Sequence, residues 1–459
     1  MNPIHDLVIV GGGLSGLSVA HFVNKLAPGL DILLLEKGER PGGAVQSFKE
    51  EGFQGEWGPH GFLDNTPESQ ELLHDTGLYH SAQQAPLGDF FRYVCHGGQL
   101  VRLPQSLKTV LSTPLVSSFG KLRTLADLWR RPRPEDQTIG DWVAYRFGAE
   151  LLPLVDAAVT GSFAGDFTKL SIDAVMPGVR ALEKEHGSVL RGLINKKKQA
   201  KANKKANSRL PSMLNFPEGM ETLIQTLAKD LCIRFQEKVT RVCRGQEWEI
   251  ETDHGLIRAR NLCMALPVNQ ALDILAPFKT PPISRIPVSR INNVVMGFTD
   301  SAKVPYGFGY LAPERENRFT LGAMFTSHMF PDRAPKGHVL IEALVGGRRH
   351  PERLDLEDEE LIDKVYKDIS QMIEMPEPPV FTRVLRPAYG IPQLEMDHSR
   401  LLSWRRAMEE EQQGLSICGF GWDGIGMNDM IRSARKAAVA IEAGGRGVED
   451  AAKVKPVYF

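Results

Sequence analysis

Near its start the chain carries a short strand pattern, Asp6 to Val10, whose unbroken apolar run Leu7–Val10 predicts a buried strand. Glycines follow, then apolar residues at helical spacing from Leu14 to Leu26, then a second strand pattern from Asp31 to Glu36. Together these predict a βαβ unit. Gly38 to Gly43 reads as a loop, and residues 44–60 as a β-ribbon entering the turn Trp57-Gly58-Pro59.

The pattern changes over residues 105–190. Strand signals vanish and leucines recur at helical spacing (Leu107, Leu111, Leu115, Leu122, Leu125, Leu128), which predicts a mostly helical insertion. The basic run from Lys196 to Arg209 reads as a solvated loop. Strand patterns return at Val239–Val242, Trp248–Thr252 and Leu262–Leu266, and residues 290–347 are strand-rich. Glu357 to Glu374 predicts an amphipathic helix. The chain then gives a strand at Leu415–Cys418, a glycine turn, and a helix from Asn428 to Ala443.

The 459 residues, 42% hydrophobic and 24% charged, describe a globular chain of about three domains, or of one domain with large insertions. With 55 Lys+Arg against 56 Asp+Glu, nothing electrostatic favours a nucleic-acid partner. The five cysteines form no CxxC, which argues against a thioredoxin-like pair or a zinc knuckle and for reduced thiols in the cytosol. No run of 18 apolar residues predicts a spanning helix, and the early strand leaves no room for a targeting segment.

Gly11-x-Gly13-x-x-Gly16 lies between strand and helix, and Glu36 ends the next strand. This is the dinucleotide fingerprint: glycines admit a pyrophosphate to the helix N-terminus, and the acid accepts from a ribose hydroxyl. Arg40-Pro41-Gly42-Gly43 follows at once. A second glycine pair there is not required for NAD; it resembles the extended signature of the FAD superfamily that includes amine oxidases and phytoene desaturases. Gly419-x-Gly421-x-x-Gly424 also fits the fingerprint, but too few residues follow for a second nucleotide fold. It reads instead as a turn that brings the last helix's N-terminus to the flavin, with Asn428 and Asp429 as cap residues.

Further segments narrow the resemblance. They are Gly42-Gly43-Ala44-Val45, Gly58-Pro59-His60-Gly61-Phe62, Gly161-Ser162-Phe163-Ala164-Gly165-Asp166, Glu185-His186-Gly187-Ser188, Phe216-Pro217-Glu218-Gly219-Met220, Gly307-Phe308-Gly309-Tyr310-Leu311 and Gly424-Ile425-Gly426-Met427-Asn428-Asp429. In order and spacing the chain resembles the oxygen-dependent porphyrinogen oxidases of haem synthesis, protoporphyrinogen and coproporphyrinogen oxidases alike.

That resemblance implies an α/β flavoprotein of the p-hydroxybenzoate hydroxylase and amine oxidase type. Its FAD-binding domain would comprise residues 1–90, 212–280 and 405–459, its helical membrane-binding insertion 91–211, and its strand-rich substrate domain 281–404. It implies non-covalent FAD, and dioxygen as acceptor in three two-electron oxidations of a porphyrinogen. The implied FAD contacts are Gly11, Gly12, Gly13, Leu14, Ser15, Gly16, Glu36, Lys37, Gly43, Ala44, Gly58, Pro59, His60, Gly61, Val239, Ile425, Gly426 and Met427. The implied substrate contacts are Phe308, Gly309, Leu311 and Leu344. A peripheral place on the cytosolic face of a membrane is expected, with a second copy of the chain as a further candidate partner.

Two positions depart from the pattern. Where relatives hold a propionate with arginine, this chain has Phe90; Arg92, two residues on, is the expected replacement and Arg102 the alternative. Leu394 stands where the family often has tyrosine. The substrate can lose its own proton as aromaticity builds, so no catalytic base is expected, and His60 and His398 read as structural histidines. No metal cluster is expected. The remaining readings are another flavin enzyme on this scaffold, such as an amine oxidase or carotenoid desaturase, and a silent porphyrin-binding flavoprotein.

Overall fold

The computed structural model describes residues 3–105, 109, 112–202 and 210–444. Two seven-stranded sheets carry the architecture. In the first, Ile4–Val10 lies in parallel between Ile32–Leu35 and Gly255–Met264, and Leu415–Ile417 joins the latter, also in parallel. Leu7, Val8, Ile9 and Val10 are all buried, because a parallel sheet is covered on both faces and its strands need unbroken apolar runs. One face packs under the helices Leu14–Leu26 and Met427–Glu442, where Leu17, Ala20 and Val23 share a core with Ile431, Ala434 and Ala438. The other face packs under Val268–Leu275 and His398–Glu411, through Leu272, Trp404 and Met408.

Register then positions the site. Val10 pairs with Leu35 and Met264, and Met264 with Ile417. These parallel strands therefore end together, and the turns that follow them gather along one carboxyl edge. In open α/β sheets that edge is where ligands bind.

The second sheet runs in the order Phe381–Leu385, Ile291–Thr299, His338–Gly346, Gly322–Met324, Gly309–Leu311, Arg92–His96, Gln99–Arg102. Side chains alternate between its faces. One set (Tyr93, Tyr310, Ala323, Ile341, Ala343, Val294, Met296) forms a core with Leu361, Val365 and Ile369 of the helix Asp358–Ile369. The other set (Arg92, Gly309, Leu311, Met324, Glu342, Leu344, Asn293) is turned away from that helix and makes a platform, as its pairing requires.

Several expectations change here. Residues 92–102, grouped with the helices by their position in the chain, are two strands of the platform sheet. Lys196, Lys197 and Lys198 lie on the helix Val189–Ala202, not in a loop; Lys204, Lys205 and Arg209 fall outside the described residues, as do Leu107 and Leu111. Leu394 is buried in the core of the helical insertion with Ile139, Trp142, Phe163 and Ile172, which gives the departure at this position a packing role.

The insertion is also held by a buried ionic network. Arg146 donates to Asp127 Oδ1 (2.7 Å) and to Glu183 Oε1 (2.8 Å). Glu183 Oε2 accepts from Trp142 Nε1 (2.7 Å) and Arg180 Nη1 (2.5 Å), and Asp127 Oδ2 from Ser188 Oγ (2.6 Å). Every ionised group thus has several partners, as burial demands. The network explains the segment Glu185 to Ser188: Gly187 adopts φ +72° to end the helix Pro177–His186, which delivers Ser188 to Asp127. Among the described residues no helix is long and apolar enough to cross a membrane.

Candidate functional site

The carboxyl edge of the first sheet forms a cradle. Gly11 adopts φ +107°, where a side chain is strained, and an added Cβ would stand 2.8 Å from the Ala265 carbonyl. A Cβ on Gly16 would stand 2.0 Å from the Gly11 carbonyl, so only glycine lets the first helix approach its strand this closely. A Cβ on Gly13 would meet nothing within 4 Å, so that glycine opens onto free space. The helix starting at Leu14 has no side-chain cap, and Ser15 Oγ is buried beside it without a hydrogen-bond partner. Free N–H groups and an unpaired hydroxyl at a helix N-terminus suit an anionic pyrophosphate.

Glu36 is fixed at the neighbouring strand end, its Oε2 accepting from Gly12 N (2.8 Å) and its Oε1 from Gly38 N (2.7 Å). The segment leading to Val239 passes the same place, with Glu237 N donating to the Glu36 carbonyl at 2.9 Å. Lys37 extends outward, its ammonium 5.5 Å from the centre of the Tyr389 ring. These residues fit FAD: a tight turn, donors for the pyrophosphate, and a carboxylate at the ribose position.

The second glycine pair lies on this cradle. Gly42 N donates to the Gly12 carbonyl at 2.8 Å, and Arg40 stitches the loop by donating to the carbonyls of Pro41, Val45 and Gly43. Gly43 and Ala44 are exposed. The strap from Gly58 to Gly61 runs on from there: a Cβ on Gly58 would stand 2.2 Å from the Ala44 carbonyl. At the C-terminal turn Gly424 adopts φ +144°, and Gly426 is the N-cap of the last helix, its N–H donating to Asp429 Oδ2 at 3.3 Å. Ile425 packs against the insertion core. Asn428 is no cap; its amide donates to the Leu63 carbonyl and its oxygen accepts from Ser69, tying the helix to the segment after the strap.

The platform carries the predicted substrate residues. Leu311, Gly322 and Leu344 stand side by side on three paired strands; Arg92, Gly309, Met324 and Glu342 form the next row. Leu311, Met324 and Leu344 are half-buried. Gly161 of the insertion closes over Leu311, since a Cβ there would lie 2.8 Å from its Cδ1. Phe308 sits at the platform's edge against Phe90, Met329 and Phe330.

Arg92 is half-buried; among the described residues it donates only to the Leu87 carbonyl, at 3.3 Å, its Nε has no partner and no carboxylate pairs with it. Burial lowers its pKa from the ordinary value. Phe90 precedes the strand, so a shared strand face is not what aligns the two residues. Arg92 reaches the platform through its pairing with Gly309. Arg102 pairs with Tyr93, which puts it on the opposite face, with its guanidinium 4.0 Å from the Phe91 ring centre.

Strap and platform meet at His60. Its Nε2 lies 2.8 Å from Glu342 Oε2, which also accepts from Asn293 Nδ2 at 2.7 Å. Glu56 lies behind, accepting from Asn215 Nδ2 and Met220 N, with Arg333 at 3.6 Å. Burial opposes charge on His60, but Glu342 and Glu56 outweigh it and raise its pKa. Burial pushes Glu342 up, but His60 and Asn293 hold it below the usual carboxylate range. Burial raises Glu56. His398, by contrast, is buried with its Nε2 2.9 Å from the Trp422 carbonyl.

Sequence reasoning missed Met324, Glu342 and Asn293. The available signal was a lone carboxylate inside the apolar run Ile341-Glu342-Ala343-Leu344-Val345. Among the described residues, the single cluster with metal-ligand spacing (Glu237, Asp253, His254) lies away from the platform, with Asp253 and His254 exposed.

The family model for flavin containing amine oxidoreductase matches residues 14–442. The chain is 27% identical to coproporphyrinogen III oxidase of Bacillus subtilis (strain 168), over 95% of this chain and 97% of that protein. It is 28% identical to chloroplastic protoporphyrinogen oxidase of Nicotiana tabacum, over 94% of this chain and 84% of that protein. Among solved structures it is similar to a putative protoporphyrinogen oxidase from Exiguobacterium sp. 255-15, with TM-score 0.79, 23% identity, and coverage of 96% and 100% of the two chains. A reduced UDP-galactopyranose mutase shares the fold at TM-score 0.72 and 14% identity, over 95% of each chain.

Proposed function

The chain belongs to the flavin-containing amine oxidoreductase family, and from that premise we propose that it oxidises a porphyrinogen, protoporphyrinogen IX or coproporphyrinogen III, to the porphyrin. FAD supplies the two-electron acceptor when bound, and dioxygen takes the electrons on. Gly11 to Gly16 and Glu36 hold the pyrophosphate and ribose; Gly43, Ala44, the strap Gly58–Gly61 and the start of the last helix hold the flavin end. The names of the similar proteins support the substrate class.

The observation that carries the reading is the platform. A porphyrinogen is a broad apolar ring with anionic propionates, and a pocket for it needs apolar walls and a cation at the rim. Leu311, Met324 and Leu344 offer the former, Phe308 flanks them, and Arg92 is a cation without a counter-charge among the described residues. A polyamine would want free carboxylates there, whereas Glu342, the carboxylate in this row, is already paired with His60.

Turnover under oxygen tests this. Porphyrin and peroxide should appear together with one or both porphyrinogens, and the rate ratio identifies the preferred one. Turnover of an amine or polyene without porphyrinogen oxidation would favour another flavin oxidase.

An exposed apolar patch favours membrane docking by the insertion. Phe119 (74% exposed), Leu122 (65%) and Trp129 (75%) are exposed, as are Leu193 and Ile194 on the helix Val189–Ala202, which packs on the segment Leu125–Leu128 and carries Lys196 to Lys198 further on. Apolar residues beside basic ones suit the headgroup region of an anionic bilayer. Leu115 is buried and so stands outside this patch, and Arg123 is bound to the carbonyls of Tyr145 and Arg146.

A further inference from the structure

One buried pair lies at the seam between the cofactor strap and the platform. His60 belongs to the strap that touches Ala44 through Gly58, and Glu342 is the platform neighbour of Met324, in the row that continues through Gly309 to Arg92. The geometry gives the pair a direction. Glu342 can only accept, so the His60 nitrogen facing it, Nε2, carries the hydrogen. Among the described residues Nδ1 forms no hydrogen bond within the fold. The Glu342 side chain is 1% exposed and the imidazole 13%, so the dyad is closed at its carboxylate end and open at its imidazole end. A carboxylate that fixes the tautomer of an imidazole leaves the other ring nitrogen as a proton acceptor.

We propose that His60, oriented by Glu342, accepts the pyrrole N–H proton of the porphyrinogen as hydride leaves a bridging carbon. The proposal rests on the porphyrinogen reading above. In each round a bridging C–H bond breaks, and bound FAD would take the hydrogen with its electron pair. In two of the three rounds an N–H bond breaks and its pair stays on the macrocycle as the new π bond; in the remaining round the proton leaves a second bridging carbon, so that four C–H and two N–H hydrogens are lost in all. The proton rides on His60 Nδ1 and passes to water when the ring returns to neutral. Dioxygen, taking two electrons and two protons, leaves as peroxide. Glu342 is a positioning residue: it stays ionised and stabilises the imidazolium.

The charged groups facing His60 are Glu342 from its strand, Glu56 from the strand Phe53–Glu56, and Arg333 from the turn Pro331–Arg333. The two carboxylates outweigh burial and Arg333, so the ring is a stronger base than a free histidine. The acceptor must be neutral, so the proton-coupled step should speed up as pH rises through that raised pKa.

Anaerobic stopped-flow reduction of the FAD-loaded protein by a porphyrinogen, from about pH 5 to 9, tests this. The wild-type rate should rise through an apparent pKa above the ordinary histidine value. His60→Asn should slow reduction about 100-fold or more and remove that ionisation. Glu342→Gln, nearly isosteric, should lower the pKa, because burial and Arg333 then oppose the imidazolium against Glu56 alone. Added imidazole should restore rate to His60→Ala, which a purely structural histidine would not allow. NMR titration of the histidines gives a readout apart from turnover: the His60 resonance should titrate above the ordinary histidine value in the wild type and lower than the wild type in Glu342→Gln. A rate that falls as pH rises through this pKa, a His60→Asn variant with full FAD and wild-type reduction, or an ordinary His60 titration would each overturn the relay alone. A wild type that no porphyrinogen reduces would overturn the substrate reading, and the relay with it.

Discussion

Replacing Arg92 by alanine separates a substrate anchor from a structural residue. Within the fold, Arg92 donates one hydrogen bond, to the Leu87 carbonyl at 3.3 Å, near the long limit for such bonds. Among the described residues it has no ion pair to break, so the fold should lose roughly 0.5–1.5 kcal/mol at most, partly offset because a desolvated guanidinium is removed. That is a melting shift of no more than about 2–4 °C. A propionate bound to the same guanidinium is a charge-assisted contact worth about 1.5–3 kcal/mol. The Michaelis constant for a porphyrinogen should therefore rise about 10- to 150-fold. If the contact is equal in ground and transition states, maximal turnover changes little. FAD content should hold, because the cradle comes from other segments. Arg102→Ala is the control: Arg102 stacks on Phe91 on the opposite face and should leave the Michaelis constant unchanged. A large effect from Arg102→Ala with none from Arg92→Ala would refute the assignment of faces. Silence from both would refute Arg92 as the anchor.

Gly16→Ala would force a Cβ to 2.0 Å from the Gly11 carbonyl, so the turn must open; FAD affinity should fall at least about tenfold, read by cofactor content after gel filtration. A Leu122→Gln, Trp129→Ser double variant should lose flotation with anionic liposomes while keeping FAD; equal flotation would rule out the patch. His398 is held neutral by burial, its pKa below the ordinary value, so its contribution is full above about pH 6.5 and lost as pH falls towards the folded pKa. The melting temperature of His398→Gln should therefore fall less than that of the wild type between about pH 7 and pH 5.

The nucleotide half was legible because its signals are local. The unbroken run at Leu7–Val10 and the helix Leu14–Leu26 follow directly from apolar pattern and glycine spacing. The platform was not, because Gly309–Leu311 and Gly322–Met324 are too short to show a period, and their partners come from distant parts of the chain. Motif resemblance picked out Phe308, Gly309, Leu311 and Leu344, but only register shows that Leu311 and Leu344 share a face with Arg92. The His60–Glu342 pair was unreadable for the same reason. Near the last helix, Asn428 and Gly426 are both good caps by residue type; contacts to Leu63 and Ser69 claimed the asparagine, and the cap fell to glycine.

The most direct test of the central claim is a single anaerobic turnover. The purified protein, carrying its own FAD, is mixed with protoporphyrinogen IX or coproporphyrinogen III without oxygen. The account predicts that oxidised-flavin absorbance is lost as substrate is consumed, and that readmitting air restores it with formation of peroxide and porphyrin. FAD that stays oxidised while porphyrinogen binds would contradict it and leave a porphyrin-binding flavoprotein without this chemistry.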